Sequence, residues 1–585
     1  MVKRVKNING SKSFGGSTGP CVGNSNRRSW LVLAMLVDGL VLYLLLYFGS
    51  NNVQWNQPKP ALRRYYSDSA SRVVPSRPTQ QGISATSKVL LNTVTPQVNP
   101  TIADNSFFYI QNPKTIYNIC DQLELYIEAR DGQGKRKIRG GDHMWPVLWT
   151  ASLNASAPAD ELIDHSNGTY TAHFTLHWTG EIEPLVPFIY SAEHADFLRS
   201  FRERFPHRHA YDGKFTDHNG TVEITPCHVD RDIFVDNGAE GLSLASKYEV
   251  CDFSNGKAGT SWYCLKPKTL SCSDFTQHRG NTRRGGEYRK SVIRPDESSL
   301  VKRPKELKNI GKLKKITVIS NVSDAACFDL PPCKSGLPPK QPNRAAGYYF
   351  EDSWKSKLCR ERELNLSDTL KCLRNKRLYF YGDSTLRQWF LYLISNLGET
   401  MKEDQINTTA LAKMGPRRAR DPTHNITLLF RHHEYPIRNI WANVRDIKFT
   451  VNEIDGLPGG ADTVVALTMW AHFTTNNLTY YQSRLERVRD AIARLHKRGT
   501  GTSPVFFKSA NTRGYYTMDL SDLYAYDLDQ TLRAVFKGVP DVTIIDVWDM
   551  TLSHRTGYHI HPVQEVIKEE IKMFLNFICN APSVS

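Results

Sequence analysis

The spacing of apolar residues changes once along this 585-residue chain, and the change separates two kinds of fold. From about residue 105 to 200, segments such as LELYIEARD and NGTYTAHFTLHW alternate polar and apolar residues, with Gly and Asn at the turns. This period of two predicts a β-sandwich. From about 345 to 580, short apolar segments alternate with amphipathic helical patterns, which predicts an α/β sheet of mostly parallel strands.

The chain is too long for a single hydrophobic core, and its composition divides it further. Residues 206–340 are rich in loops, cysteine and basic residues, and residues 49–104 are rich in Pro, Ser, Thr, Gln and Asn. A segment of the latter kind cannot bury enough apolar surface to become ordered. The predicted segments are a cytosolic tail (1–28), a transmembrane anchor (29–48), a disordered stem (49–104), a sandwich (105–205), a connecting region (206–340) and an α/β domain (341–582).

The segment Ser29 to Phe48 is a 20-residue apolar run that only Asp38 interrupts. This length suits a helix that crosses a membrane. Six basic residues and no acidic residue precede it, so the positive-inside rule predicts a cytosolic N-terminus and a type II signal anchor. The rest of the chain would then lie in the lumen of the Golgi or endoplasmic reticulum, or at the cell surface. An uncleaved or unusually cleaved signal peptide is the alternative.

Cysteine and glycosylation patterns support this topology. Apart from Cys21, the chain has ten cysteines, an even set that indicates a disulfide framework of unknown connectivity. The same part of the chain has eight N-x-S/T sequons, which are candidate glycosylation sites. The cysteines are Cys120, Cys227, Cys251, Cys264, Cys272, Cys327, Cys333, Cys359, Cys372 and Cys579, and the sequon asparagines are Asn154, Asn167, Asn219, Asn321, Asn365, Asn407, Asn425 and Asn477.

The net charge of +16 would by itself suggest a partner such as nucleic acid. The charge is concentrated in two segments, however: residues 1–28 contribute +6, and residues 279–315 contribute +9. Membrane orientation explains the first segment, and the second is a linker or a contact for acidic glycans or an acidic membrane surface. We therefore predict no nucleic-acid partner.

The first strand of the α/β pattern, RLYFY, is followed directly by Gly382, Asp383 and Ser384 and then by a predicted helix. Ser384 is thus expected at the carboxyl end of a strand, where open α/β sheets place their sites. It is also expected at a helix N-terminus, whose N–H groups and dipole stabilise an oxyanion. Gly382 allows a close backbone approach. The tripeptide alone supports either a nucleophile or a simple helix N-cap.

A polar loop precedes the last predicted helix and contains three histidines. Asp546 and Asp549 follow the last predicted strand, and His554, His559 and His561 come next. A histidine after the last strand can reach a serine after the first strand of the same sheet. This gives the chain order Ser…Asp…His of a hydrolase triad, although a histidine before a helix is more often a solvated or capping residue.

Several motifs match a known family in their order and spacing. They are DHSNGTYTAHFTLHWTGEI, SAEHADFLRSF, YYFEDSWKSKLC, YFYGDSTLRQWF, ALTMWAHF, FFKSANTRG and IIDVWDMTLSHRTGYHIHP. Through these motifs, the chain resembles the NXPE family, the neurexophilin and PC-esterase domain proteins, over nearly the whole segment after residue 104. The resemblance implies an immunoglobulin-like, neurexophilin-type sandwich followed by a three-layer α/β PC-esterase domain of the SGNH/GDSL-like superfamily.

The resemblance also implies roles for single residues. In that superfamily of acyl esterases and glycan O-acyltransferases, the GDS serine is the nucleophile, here Ser384, and the histidine before a proline is the base, here His561. Oxyanion donors come from the backbone N–H of the serine, beside Gly382 and Asp383, and from loops after the next strands. RHHEYP and WAHF match those loops, so Arg431 and His472 are candidates.

The chain departs from the superfamily pattern at two places. The usual acid, three residues before the base, is replaced by Tyr558, so Asp549 or Asp546 is the nearest candidate acid. The asparagine of the third conserved block is missing from WAHF. A Ser-His pair can still act, because the acid mainly orients the imidazole.

Two functions follow as alternatives. The first is an acyl esterase or O-acetyltransferase acting on a glycan or glycoprotein. The second is a non-catalytic protein that binds a protein ligand through its immunoglobulin-like domain. No cofactor and no metal are predicted: His432, His433 and Glu434 resemble metal ligands, but no further ligand follows at helical spacing.

Overall fold

The computed structural model describes most of residues 99–579. The described range excludes 235–248, 282–292, 299, 302–306, 321–326, 328, 336, 338–339, 341–343, 405–410, 439–440, 514–517 and 555–558. The predicted tail, the predicted anchor at 29–48 and nearly all of the predicted stem lie outside the described residues. Among the described residues, no helix combines the length and the apolar character needed to span a membrane.

The described residues form 27 strands and nine α-helices. The strands before residue 320 are β1 (Phe107–Ile110), β2 (Tyr117–Asn118), β3 (Gln122–Glu128), β4 (His143–Met144), β5 (Val147–Thr150), β6 (Ala155–Pro158), β7 (Glu161–Asp164), β8 (Thr169–Thr175), β9 (Gly180–Leu185), β10 (Pro187–Tyr190), β11 (Tyr211–Thr216), β12 (Val222–His228), β13 (Val250–Asp252), β14 (Tyr263–Leu265), β15 (Phe275–Gly280), β16 (Lys308–Asn309) and β17 (Ile316–Ile319). The later strands are β18 (Gly347–Phe350), β19 (Ser353–Ser356), β20 (Arg377–Gly382), β21 (Lys402–Glu403), β22 (Arg417–Asp421), β23 (Ile426–His432), β24 (Ala442–Asn443), β25 (Thr463–Leu467), β26 (Val505–Lys508) and β27 (Val542–Ile545). The helices are α1 (Ala192–Arg204), α2 (Leu366–Leu373), α3 (Ser384–Asn396), α4 (Leu411–Met414), α5 (Thr450–Asp455), α6 (Leu478–Leu495), α7 (Asp522–Phe536), α8 (Val547–Ser553) and α9 (Gln564–Cys579).

Two sheets of the N-terminal half share one hydrophobic core. A four-stranded sheet has the order β1-β3-β8-β7, and a seven-stranded sheet has the order β19-β18-β6-β5-β9-β17-β2. Alternate residues of β3, namely Leu123, Leu125 and Ile127, are buried in the same core as Leu148 of β5 and Ile182 of β9. The alternation in sequence therefore predicts the sandwich correctly, because successive side chains of a strand point to opposite faces.

Strand pairing crosses the domain boundaries that the sequence suggests. Strand β17 lies in the predicted connecting region and β18 and β19 lie in the predicted α/β domain, yet all three belong to the sandwich sheet. Residues 206–340 also form most of a six-stranded sheet with the order β13-β14-β12-β11-β15-β24, rather than mainly loops. Local composition misses both features, since it does not show which partner a short strand will pair with.

All ten cysteines after Cys21 form disulfides, as their even number predicts. Cys120–Cys327 ties the sandwich to the connecting region, and Cys372–Cys579 joins α2 to the end of α9. The other three are Cys227–Cys264, Cys251–Cys272 and Cys333–Cys359. The sequence could not supply this connectivity, which depends on contacts between residues as far as 207 positions apart.

The C-terminal sheet has the order β21-β22-β23-β20-β25-β26-β27, and its last five strands are parallel. Counted along the chain, these five follow the doubly wound order 2-1-3-4-5. Val465 and Phe507 face one helical layer, while Val464 and Phe506 face the other, so both faces are covered. The order reverses between β20 and β25, which makes their carboxyl ends the expected place for a ligand.

Candidate active site

Strand β20 ends in Gly382, and α3 begins two residues later with Ser384. Asp383, between them, is the helix N-cap, and its side chain accepts from the backbone N–H of Thr385. Ser384 is thus the first helical residue rather than the cap, so the N-cap interpretation is wrong and the nucleophile interpretation stays a prediction. Its backbone N–H is one that the helix itself leaves unused.

Gly382 allows the end of β20 to lie close to the residues that follow β25, its neighbour in the parallel sheet. A Cβ at this position would lie 2.6 Å from the backbone oxygen of Thr468, which follows β25. The contact leaves no room for any other residue. The nucleophile candidate therefore lies directly beside the loop that follows β25, at the reversal in strand order.

Ser384 and His561 form a direct hydrogen bond across 177 positions of sequence. Serine Oγ lies 2.7 Å from His561 Nε2, within the range expected for a nucleophile and its base. Ser384 is half-buried and His561 is exposed, so a substrate can reach both. For the ring to accept the serine proton, its own proton must reside on Nδ1.

The surroundings of His561 favour its neutral form. Partial burial lowers the pKa of His561, and the nearby charges of Arg387, Arg513 and Lys508 lower it further, while the carboxylate of Asp383 opposes them. Since the pKa moves below the ordinary value of 6.5, the ring is a competent base at neutral pH.

Asp383 is fully buried and holds two segments of the site together. Its Oδ1 accepts from the N–H and hydroxyl of Thr385 at 2.8 and 2.7 Å, and its Oδ2 accepts from the N–H of Ala471 at 3.2 Å. Burial would raise the pKa of Asp383, but the hydrogen bonds from Thr385 and the nearby charge of Lys508 help to hold it below its usual range. The carboxylate therefore stays charged within the site.

The structure does not bring Asp546 or Asp549 to His561. Asp546 accepts from Arg533 at 2.7 Å, and Asp549 accepts from Lys340 at 2.8 Å and from the N–H of Ala346 at 2.7 Å. Neither carboxylate is bonded to His561 within the described part of the chain. The expectation that one of them is the triad acid fails, because α8 directs both toward a buried group of cations.

His472, in the loop after β25, is fixed as a hydrogen-bond donor. Its Nδ1 accepts from the backbone N–H of Arg438 at 2.9 Å, so Nε2 must carry the ring proton. Burial lowers the pKa of His472 well below 6.5, and the positive charge of the nearby Arg438 lowers it further, so the ring stays neutral. The adjacent Ala471 donates its N–H to Asp383, so the loop that carries His472 lies beside the start of α3.

Arg431 is engaged elsewhere. Its Nε lies 3.0 Å from a carboxylate oxygen of Glu453 in α5. This ion pair makes Arg431 a weaker candidate for an oxyanion donor than His472, although both were expected from their loops.

Three imidazoles meet beside the site, where sequence reasoning grouped only two. One ring nitrogen from each of His432, His433 and His472 lies within 4.8 Å of the other two. His432 Nδ1 donates to His433 O at 2.9 Å and His433 Nδ1 donates to Glu434 O at 2.6 Å, so both Nε2 atoms hold lone pairs. Because His472 presents an N–H, the neutral trio offers two ligands rather than the three of a typical zinc site.

Glu434 is not available as a ligand either. Both oxygens have partners: Arg484 on α6 forms a buried ion pair with one, and the N–H and hydroxyl of Thr450 donate to the other. Burial lowers the pKa of His432 to about 3 and that of His433 to about 4, so both rings remain neutral. The cluster of His432, His433 and His472 thus consists of neutral rings that form hydrogen bonds with the backbone.

Sequence reasoning missed several side chains that surround the pair. Lys508 is the last residue of β26, Asn511 and Arg513 follow it in the motif FFKSANTRG, and Gln388 lies one turn after Ser384. Burial and the nearby Arg438 lower the pKa of Arg513 to about 9. The sequence signal that could have identified Lys508, Asn511 and Arg513 is their position at the end of a parallel strand, because the loops at that edge of the sheet line the ligand crevice.

The predicted glycosylation sites lie at or near the surface where they are described. Asn154, Asn167, Asn219, Asn365 and Asn425 are exposed and Asn477 is half-buried, while Asn321 and Asn407 lie outside the described residues. Asn365 and Asn477 use only their side-chain oxygen for N-caps. Glycosylation of these sites stays a prediction.

Two solved structures share limited similarity with this chain. One is the Escherichia coli adhesin FdeC, with 13% identity and a TM-score of 0.13, over 37% of this chain and 65% of that one. The other is invasin, a bacterial integrin-binding protein, with 13% identity and a TM-score of 0.13, over 46% and 50% of the two chains. Each match spans less than two thirds of both chains, and neither solved structure supports an argument about this protein.

Two family models match the chain in separate segments. The neurexophilin model matches residues 81–284, and the model described as NXPE family member 4-like, C-terminal domain, matches residues 354–579. The second match contains the whole Ser384–His561 pair. Their order along the chain is the one that the sequence motifs predict, and the protein belongs to the NXPE family.

Proposed function

We propose that this protein is an acyl esterase or O-acetyltransferase acting on hydroxyl groups of glycans. The observation that carries the proposal is the 2.7 Å hydrogen bond between Ser384 Oγ and His561 Nε2 at the reversal of a 2-1-3-4-5 sheet. The strand order and the GDS turn support an SGNH-like domain, and the NXPE family match supports the same assignment.

The chemistry takes two steps. Ser384 Oγ attacks the acyl carbonyl while His561 Nε2 takes its proton, which gives a tetrahedral oxyanion. The N–H of Ser384 and the Nε2–H of His472 are the donors proposed for that oxyanion. The bond between the acyl carbon and the leaving alcohol then breaks as that oxygen takes the proton from His561, which leaves Ser384 acylated. Water or an acceptor hydroxyl gives its proton to His561 and attacks the acyl carbon, and the bond to Ser384 Oγ breaks as Oγ takes the proton back.

We also propose that the chain is a type II membrane glycoprotein whose catalytic domain lies in a secretory lumen or at the cell surface. The five disulfides support this placement, because such bonds persist in oxidising compartments. The 20-residue apolar run Ser29 to Phe48 and the preceding basic residues support the anchor.

The test compares the purified ectodomain with its Ser384→Ala variant. Wild-type protein should release or transfer acetyl groups from O-acetylated glycans and should react with a fluorophosphonate probe. Ser384→Ala should lose both, with acyl transfer lowered by about 10³-fold or more. Equal activity of the folded variant would reject Ser384 as the nucleophile.

A second candidate function is binding of a protein ligand without catalysis. The neurexophilin match over residues 81–284 favours it. If the folded wild type neither reacts with the probe nor transfers acyl groups, while the sandwich captures a protein ligand, this candidate replaces the first.

A further inference from the structure

His561 lacks the usual partner of a catalytic histidine. Within the described residues, its only hydrogen bond joins its ring to Ser384, and no carboxylate is bonded to Nδ1. A triad acid normally fixes the imidazole, and its loss in a serine protease lowers kcat by about 10⁴-fold. Another feature must therefore hold the ring of His561 in place if the pair is to act.

Two amide side chains hold the backbone on both sides of His561. Asn511 Nδ2 donates to the carbonyl oxygen of Ile560 at 2.8 Å. Gln388 Nε2 donates to the carbonyl oxygen of Pro562 at 2.9 Å. The residues immediately before and after the base are thus both fixed, which leaves its side-chain torsions as the main freedom of the ring.

Gln388 ties this loop to the helix that carries the nucleophile. It lies four positions after Ser384 in α3, and side chains at that spacing share one helix face. One rigid helix therefore presents Ser384 Oγ to the ring of His561 and a side-chain amide to the next residue. Any movement of the loop relative to Ser384 would break the bond from Gln388.

Asn511 is oriented by a fully buried lysine. Lys508 Nζ donates to the Oδ1 of Asn511, so the Nδ2 of the same amide must face Ile560. Lys508 lies 3.8 Å from Glu570 of α9, which in turn accepts from the indole N–H of Trp389 in α3. These contacts therefore tie the His561 loop to helices α3 and α9 and to strand β26 of the core.

We propose that Asn511 and Gln388 are positioning residues that replace the orienting acid of a triad by fixing the backbone around His561. The inference rests on the proposed function, since it assigns these residues to the same Ser-His pair. Displacing a reacting group by about 1 Å costs on the order of 10²-fold in rate. The two amides prevent such a displacement by holding the backbone on both sides of His561.

The test uses the near-isosteric variants Asn511→Asp and Gln388→Glu in the complete ectodomain. Each keeps the size of the side chain but replaces the donating NH₂ group with an acceptor. Both should lower kcat for acyl transfer by about 10- to 100-fold, with KM changed less than about threefold, because the lost bond orients the base rather than the substrate.

Asn576→Asp is the matched control. Asn576 is a buried asparagine that donates to Arg362 O at 3.0 Å, but it lies twelve positions along α9 from Gln564, or about 18 Å. This control should lower the melting temperature and leave kcat unchanged. The proposal is wrong if Asn511→Asp and Gln388→Glu keep the wild-type kcat. It is also wrong if, at an equal loss of stability, they lower kcat no more than Asn576→Asp does.

A measurement that does not need activity separates this proposal from the proposed function. Nitrogen NMR of labelled histidine should show His561 as one narrow tautomer signal in the wild type and as an exchange-broadened signal in both variants. Wild-type protein without acyl transfer but with this difference would reject only the function. Active wild-type protein with identical His561 signals in the variants would reject only the positioning role.

Discussion

At the scale of single residues, the site depends on one buried carboxylate. Asp383 caps α3, binds the N–H of Ala471 and is the acidic group among the charges that act on His561. It therefore ties the start of α3 to the loop after β25 and raises the pKa of His561 against burial and the nearby cations. The sequence motif places this aspartate beside the nucleophile, but only the structure shows that it reaches the loop after β25.

The first prediction concerns pH. Since burial and three cations hold the pKa of His561 below 6.5, acyl transfer should rise with pH along a limb centred below 6.5 and reach a plateau near neutrality. Asp383→Asn removes the opposing negative charge, so the limb should move to lower pH. The pH profile of kcat/KM measures this, and a limb centred above 6.5 in the wild type would contradict it.

At the scale of elements, α9 connects the site to the rest of the domain. Its N-terminal end follows the His561 loop, its middle provides Glu570, and its last residue, Cys579, is bonded to Cys372 of α2. The same helix thus packs the sheet, supports Lys508 and closes the chain.

The second prediction concerns this disulfide. The double variant Cys372→Ser, Cys579→Ser should lower the free energy of unfolding by about 2–5 kcal/mol, measured by urea denaturation. The double variant Cys333→Ser, Cys359→Ser opens a loop of sequence separation 26 rather than 207, so its loss should be about 2 kcal/mol smaller. A larger loss for the shorter loop would contradict the entropic explanation.

At the scale of the whole molecule, the sandwich and the α/β domain are joined through α1. Arg202 of α1 lies 2.8 Å from Asp527 of α7, with only 6% and 9% of the two side chains exposed. The hydroxyl of Tyr524 donates to Leu198 O at 2.6 Å across the same contact. Together with the strands that cross the domain boundaries, these contacts make the two halves one structural unit.

The third prediction concerns this contact. Asp527→Ala leaves the buried Arg202 with only the exposed Glu203 as an acidic partner among the described residues and should cost about 3–5 kcal/mol in the free energy of unfolding. Asp104→Ala breaks the exposed pair with Lys308, at 58% and 60% exposure, and should cost less than about 1 kcal/mol. Thermal and urea denaturation of both variants tests the difference, and equal losses would show that burial of the Asp527 pair is unimportant.

The sequence predicted much of the fold because backbone periodicity is a local property. The alternation in β3 and β8 and the helical spacing in α3, α6 and α9 each correspond to the element observed. The motif around Ser384 was also visible, since a strand, a glycine, a nucleophile and a helix are contiguous. The even set of cysteines predicted that disulfides form but not which cysteines pair.

Only the tertiary structure decided what distant residues do together. It brought Ser384 within 2.7 Å of His561, directed Asp546 and Asp549 to Lys340 and Arg533 instead, and added β17, β18 and β19 to the sandwich. These outcomes depend on how the sheets and helices pack, which no local pattern specifies. The sequence alone therefore determined the elements and the nucleophile candidate, whereas packing determined the partners of His561. The reason is that a hydrogen bond acts over only about 3 Å, and the residues that bond to His561 and its neighbours are far from it in sequence.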